Sequence, residues 1–340
     1  MTMRTAHGRP APTAAAIRPR LWMAMIAAVL ALGVLSAKAA VSEDEPVIIL
    51  AVPDPDPDLA PVTVATVRQY KKKITATPFS LRKPYRTNDI DDMASGFSRE
   101  LLRRLEGSNQ FLTKTSLYGL PVEGGGPSLN RSAVRRLAMI NDSQFVISGD
   151  IQDSGVADEG GYLGFFRTRT RSLDIDLFVH DGKTGALVAR RRISQLAEDD
   201  VVVGRNKSFA STAFFSTGFG KVVDRMLDSA VELIVSDLDN LPFSAKIIKV
   251  KDDEIYIDAG ATSILASGDE LMVYQVRNDL PLVGPDSNSE VGIPETAIGK
   301  VLITQVQPLF SICRTVAGAR NVLPKVGDFV RVDGLGRVSN

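Results

Sequence analysis

KKKITATPFSLRKPYRTNDIDDMASGFSRELLRRLEGSNQF, Lys71–Phe111, runs from a strand pattern into a helix pattern. Lys71–Phe79 reads as an opening strand with Pro78 near its end. Asn88 is a good N-cap, with Asp89, Asp91 and Asp92 in the first turn, where the helix dipole favours acids. Ile90, Met93, Phe97, Leu101 and Leu105 then recur at three- and four-residue steps, which predicts one apolar stripe turned to a core. Arg103 and Arg104 near the end and Gly107 after them mark the stop.

The pattern continues on both sides of a Gly-rich loop at Glu123–Pro127. Gln110–Lys114 predicts a short strand. Asn130 or Ser132 caps a second helix through Met139, with Ala133, Val134, Leu137 and Ala138 inward. Phe145–Ser148 predicts a buried strand. Strand, helix, strand, helix, strand favours layers of sheet and helix. Leu173–His180 and Leu187–Ile193 flank Asp181-Gly182, a strong hairpin signal. On the first of these strands Asp174, Asp176, Phe178 and His180 share a face, expected to be exposed and to pair its acids with Arg190 and Arg192. Gly204–Gly220 reads as a long loop, and Val222–Asp239 as a helix that Leu241-Pro242 breaks.

From 243 onward the pattern is short β runs punctuated by glycines: Ala245–Val250, Glu254–Asp258, Glu270–Tyr274, Ile298–Gln305 and Phe329–Val332. Gly268-Asp269 and Gly327-Asp328 each precede a strand, which suggests related turns. The expected fold class is α+β: an α/β domain over 62–241, then a small all-β barrel or sandwich over 242–340.

The beginning of the chain carries an address. Residues 1–39 hold five basic residues and no acid, and Leu21–Ser36 is uncharged over sixteen residues, too short for a spanning helix of ~20. Ala37 and Ala39 supply the small residues that a signal peptidase reads. Residues 1–39 are thus expected to be a signal peptide, and export to the periplasm follows. A leader and linker occupy 40–61, with Val47–Val52 strand-like and Asp54-Pro55-Asp56-Pro57-Asp58 an extended spacer.

Forty Lys+Arg balance forty Asp+Glu over 340 residues. Removing the five basic charges of the signal leaves 35 against 40, a net charge of about −5, which argues against a nucleic-acid binder. Two His and one Cys leave little for a metal site, a thiol catalyst or a disulfide. Gly218-Phe219-Gly220-Lys221-Val222 fails as a phosphate loop, with Phe215 where the first glycine belongs and Val222 where Ser or Thr belongs. A Ser/His/Asp triad would have to recruit His180. The expectation is a protein without catalytic residues, cofactor, metal or small-molecule substrate. Phe209, Phe214, Phe215 and Phe219 read as loop burial, with Phe214 and Phe215 the candidates for an apolar partner contact.

Lys71–Phe111, together with FVISGDIQD at Phe145–Asp153 and LFVHDGKTGALVARRRIS at Leu177–Ser194, resembles the middle domain of the flagellar assembly protein T family. That domain is similar to the N-terminal domain of TolB. Ala245–Val276 and Gly299–Val316 resemble the family's C-terminal β domain. The resemblance implies a structural role in a periplasmic ring, the H-ring, around the flagellar basal body, with homo-oligomerisation and with basal-body or stator-associated proteins as partners. With only about twenty residues between the expected cleavage site and the middle domain, the family's separate N-terminal domain is expected to be missing. The alternative expectation is an accessory module, related to TolB or to curli-secretion factors, that serves envelope or surface-polymer assembly.

Overall fold

Alternation and helical periodicity together build a sheet, its helices and a barrel. The structure, a computed structural model, describes residues 68–120, 130–160, 167–198, 201–277, 282–283, 290–316 and 323–332. The signal and linker therefore lie outside the described residues.

A seven-stranded mixed sheet comes first. Its strands are β1 (Lys72–Ala76), β2 (Ser80–Leu81), β3 (Phe111–Thr115), β4 (Phe145–Asp153), β5 (Val156–Gly160), β6 (Arg167–Asp181) and β7 (Leu187–Ala197). Parallel pairing joins β1 to β3 and to β4, and β2 to β4, whereas β6 runs antiparallel to β4, β5 and β7. The helices are α1 (Met93–Gly107), α2 (Arg131–Asn141), α3 (Thr212–Phe215) and α4 (Gly218–Asp239).

The period of two in the strands decides which helix covers which face. Ile147 and Ile151 of β4 and Ile175, Leu177 and Val179 of β6 join the stripes of α1 and α4 in the large core. Val146, which points the other way, packs with Val134, Leu137 and Ala138 of α2. The stripe Ile90, Met93, Phe97, Leu101, Leu105 is buried throughout.

Helix α1 starts later than the sequence suggests. Pro84–Thr87 forms a 3-10 turn, and Asp92, not Asn88, is the N-cap. The reason is long-range. Asp89 leaves the first turn to meet Arg171 of β6, whose Nη1 and Nη2 donate to its carboxylate at 2.7 and 3.0 Å. Arg171 is wholly buried, also donates to the carbonyls of Ser154 and Val201, and lies 4.1 Å from the centre of the Phe219 ring. Burial works against ionisation of Asp89, and the Arg171 hydrogen bonds and charge outweigh it, holding the carboxyl below the usual range.

The second part is a closed six-stranded barrel in the order β10-β13-β14-β9-β8-β15. Its strands are β8 (Ser244–Lys251), β9 (Glu254–Ile257), β10 (Glu270–Val276), β13 (Glu295–Val306), β14 (Ser311–Thr315) and β15 (Phe329–Val332); β11 (Leu282–Val283) and β12 (Glu290–Gly292) form a separate ribbon. Inward alternation fills it with Ile247, Ile257, Leu271, Val273, Val301, Ile303, Cys313 and Val330. Closure leaves no open edge. The two Gly-Asp turns share one design. Gly268 and Gly327 have φ of +94° and +98°, and the carboxylates of Asp269 and Asp328 accept the N–H three residues earlier, from Ala266 and Lys325, at 2.8 and 2.7 Å.

Two substitutions test these cores. Leu101→Ala empties a fully buried position and is expected to cost about 2–5 kcal/mol in denaturant unfolding. Asp89→Ala strands a buried guanidinium and is expected to cost about 3–5 kcal/mol. Losses below about 1 kcal/mol would contradict these roles.

Candidate functional site

The short stretch Arg68–Lys73 stitches sheet to barrel. Arg68 Nη1 donates to Asp269 Oδ1 at 2.9 Å. Tyr70 is buried in the barrel core against Phe243, with ring centres 5.5 Å apart. Lys71 N donates to Ser263 O at 3.2 Å. On β1, Lys72 Nζ reaches the carbonyl of Leu238 at 2.5 Å, a cation at the C-terminal end of α4 where the dipole favours it. Lys73 points to the opposite face, as strand alternation requires, and meets Asp142 at 2.6 Å and the Asp258 carboxylate at 3.4 Å.

Beside this seam lies a cleft of about 610 Å³, lined from the sheet side by Lys73, Met139 and Lys183 and from the barrel side by Lys246, Phe329 and Arg331, among others. Each wall is placed by local structure. Asp181-Gly182 turns the β6–β7 hairpin, with the Asp181 carboxylate accepting from Thr184 N at 2.8 Å, and this turn carries Lys183. There Lys183 meets Glu295 of β13 and lies 4.7 Å from the Phe329 ring centre. Arg331 of β15 donates to the same Glu295 at 2.6 Å. Gln144 spans the gap, donating to Pro242 O at 2.8 Å and accepting from Ser244 N at 3.3 Å.

Charge in this cleft is expensive to ionise. Burial, followed by the repulsion of Arg331, brings the Lys183 ammonium down to about 8. Burial pushes Asp258 up to about 6 although Lys73 pulls the other way. Burial also lowers Arg331. Lys73, Lys183 and Arg331 are engaged with the carboxylates of Asp142, Asp258 and Glu295.

The residues singled out by sequence fall elsewhere. Ala37 and Ala39 lie outside the described residues. Phe214 is buried, with its ring centre 4.8 Å from that of Phe209 and 6.5 Å from that of Phe219, so it offers no surface to a partner. Phe215 is half-buried, below the Arg104 guanidinium at 5.7 Å. The expected loop around them contains α3, which Ser211 caps, followed at once by α4, which Thr217 caps. Gly220 is required there because a Cβ would run into the carbonyl oxygen of Phe214. That gives the glycine before Lys221 a packing purpose.

The face expected to be exposed on β6 is instead closed. Asp176, Phe178 and His180 are all buried. The expected cross-strand pairs form, with Arg192 Nε donating to Asp176 at 2.7 Å and Arg190 Nη2 at 3.2 Å. Long arginine stems do the covering, since the Arg190 guanidinium sits 5.4 Å from the Phe178 ring centre. Hydrogen bonds from Arg192, against burial, hold the Asp176 carboxyl below its usual range. His180 Nε2 lies 3.4 Å from Ser148 Oγ, and among the described residues its Nδ1 has no hydrogen-bond partner, so there the pair lacks the third group that orients a triad base. Burial drops His180 to about 4 and raises Cys313 to about 12. Among the described residues no group of three His, Cys, Asp or Glu is placed to hold a metal, and no helix is long and apolar enough to cross a membrane.

Sequence reading missed Lys183, Asp258, Glu295 and Arg331 as one constellation. The only local trace was Lys183 in the hairpin turn; the rest depends on contacts across the chain.

The fold is a mixed sheet with its helices joined to a closed six-stranded barrel. Residues 65–202 match the family model of flagellar assembly protein T, middle domain. That region is thus a domain of the flagellar assembly protein T family, which supports a role in flagellar assembly. No curated protein matches the chain. Solved structures similar to it include a hypothetical protein from Chlamydia trachomatis, 17% identical, covering 48% of this chain and 95% of its own, with a TM-score of 0.35. The PelC dodecamer from Paraburkholderia phytofirmans is 11% identical, covering 51% and 91%, with a TM-score of 0.29. A lipoprotein from Neisseria meningitidis is 10% identical, covering 48% and 99%, with a TM-score of 0.27. At these scores the likenesses fix no detail of fold or function.

A pH series tests the cleft. The folded protein keeps a proton on Asp258 up to about pH 6, whereas the unfolded chain releases it near 4. The folded state therefore binds more protons between those values, and the Asp258 contribution to stability falls as pH rises through that window. Asp89, Glu100, Asp153 and Asp176 are shifted the opposite way and lose their contributions only as pH falls below about 4. Asp258→Asn is expected to flatten the stability profile between pH 4 and 6 in urea titrations; an unchanged slope would contradict the assignment.

Proposed function

We propose that this protein is a structural, periplasmic component of the bacterial flagellar basal body, which forms or supports a ring near the outer membrane needed for flagellar assembly and motor function. The observation that carries this reading is the family match over residues 65–202. The signal-like first 39 residues support export, and the mature excess of acid is compatible with a soluble envelope protein. The role is non-catalytic: the protein works through contacts with copies of itself and with basal-body or stator-associated proteins, and takes no nucleic acid, cofactor or small-molecule substrate. The burial of both Ser148 and His180 supports this reading.

Deletion in a motile host tests the reading. Swimming in soft agar is expected to be abolished or strongly reduced and restored by the gene in trans, and tagged protein is expected to copurify with basal bodies. Normal swimming, or an envelope defect with intact motility, would overturn it and favour the accessory-module alternative.

A further inference from the structure

The barrel repeats one pattern of pairing. Ile247↔Ile257, Lys249↔Tyr256 and Val250↔Ile255 join β8 to β9, with a bulge after Ile247. Ile303↔Cys313, Gln305↔Ile312 and Val306↔Ser311 join β13 to β14, with a bulge after Ile303. The two hairpins match residue for residue, bulge included. Each leads to a Gly-Asp turn that bonds to the other hairpin. Gly268 N donates to Ile303 O at 2.8 Å, and Gly327 N to Ile247 O at 2.9 Å. In return Ile303 N donates to Asp269 O at 2.9 Å, and Ile247 N to Asp328 O at 2.8 Å. The strand after each turn then pairs with the first strand of the other hairpin, through Leu271↔Val301 on β10 and Val330↔Ala245 on β15. Exchanging the two halves leaves every ladder in register. It turns β10–β15 and β9–β14 onto themselves about Met272↔Arg331 and Tyr256↔Ile312.

One contact breaks this symmetry. Both turn aspartates are buried, and both spend Oδ2 on the N–H three residues back. Asp328 Oδ1 accepts from the main chain, Val276 N at the end of β10, at 3.1 Å. On Asp269 the matching oxygen accepts instead from Arg68 Nη1 at 2.9 Å. That guanidinium comes from the head of the sheet, two residues before Tyr70 enters the barrel core. We infer that the barrel is a tandem duplication of one hairpin–turn–strand unit, Ser244–Val276 and Glu295–Val332, and that Arg68 is the positioning residue that adapts the first unit to hold the sheet. The repeated turn supplies a buried carboxylate in both units. In the first, a charge-assisted bond from Arg68 fills it, and such a bond is stronger and more directional than the amide bond in its twin. The sheet is thereby tied to one of two matching turns. This inference goes beyond the ring reading and does not depend on it.

Single variants of the full chain test both parts. Gly268→Ala and Gly327→Ala each put a methyl on a left-handed turn with open space around it, so each strains its turn without crowding the barrel. Amide exchange is expected to quicken about tenfold at Ala266 in the first variant and to the same degree at Lys325 in the second. A loss of protection at one turn with none at the other would overturn the duplication. Nitroxide labels at Arg136→Cys on α2 and Lys251→Cys on the barrel, both exposed positions, read the placing of sheet against barrel. Arg68→Ala is expected to widen the label-to-label distance distribution about twofold, Arg68→Lys to restore most of the wild-type width, and Gly327→Ala to leave it unchanged. A width that Arg68→Ala does not change, or that Gly327→Ala changes as much, would overturn the role given to Arg68.

Discussion

Six residues, Arg68–Lys73, hold the two parts of this protein together. Tyr70 belongs to the barrel core although it precedes the first strand of the sheet. Lys72 and Lys73, neighbours on β1, leave by opposite faces, one to the end of α4 and the other to Asp142 and Asp258. Because β1 lies between β3 and β4, it cannot shift without breaking two ladders. Barrel and sheet are thereby fixed at one separation, and the cleft is the space that separation leaves.

The charges across this cleft have a double consequence. Lys183 and Asp258 are held where burial makes ionisation costly, so the junction is not the most stable that these positions allow. Apolar pairs of similar volume would often serve stability as well or better. Ion pairs instead fix orientation, since each carboxylate accepts only from particular directions. In the ring proposed above, such fixation would let each subunit repeat one geometry.

Much of the fold was legible in the sequence because its signals are local. The stripe Ile90–Leu105, the Asn130 cap, the Asp181-Gly182 hairpin and the paired Gly-Asp turns each fit within one or two turns of chain. The start of α1 was misplaced because Arg171, 82 residues away, draws Asp89 out of the first turn. β14 escaped notice because SICRT mixes a cysteine and an arginine into a short run, and only barrel closure between β13 and β9 makes it a strand. The exposed reading of Asp176 failed because alternation fixes a face but not what the long side chains of Arg190 and Arg192 fold over. The cleft was illegible for the same reason: Lys73, Lys183, Asp258 and Arg331 meet only in three dimensions. The family resemblance, by contrast, rests on the order of motifs along the chain, and the match over 65–202 falls where the middle-domain motifs, Lys71–Phe111, Phe145–Asp153 and Leu177–Ser194, lie.

Averaged electron cryotomograms of flagellar motors, from cells with and without this protein, test the structural account most directly. The account predicts that a periplasmic density around the rod near the outer membrane is present in the first and absent from the second. Identical motor densities in both would contradict it.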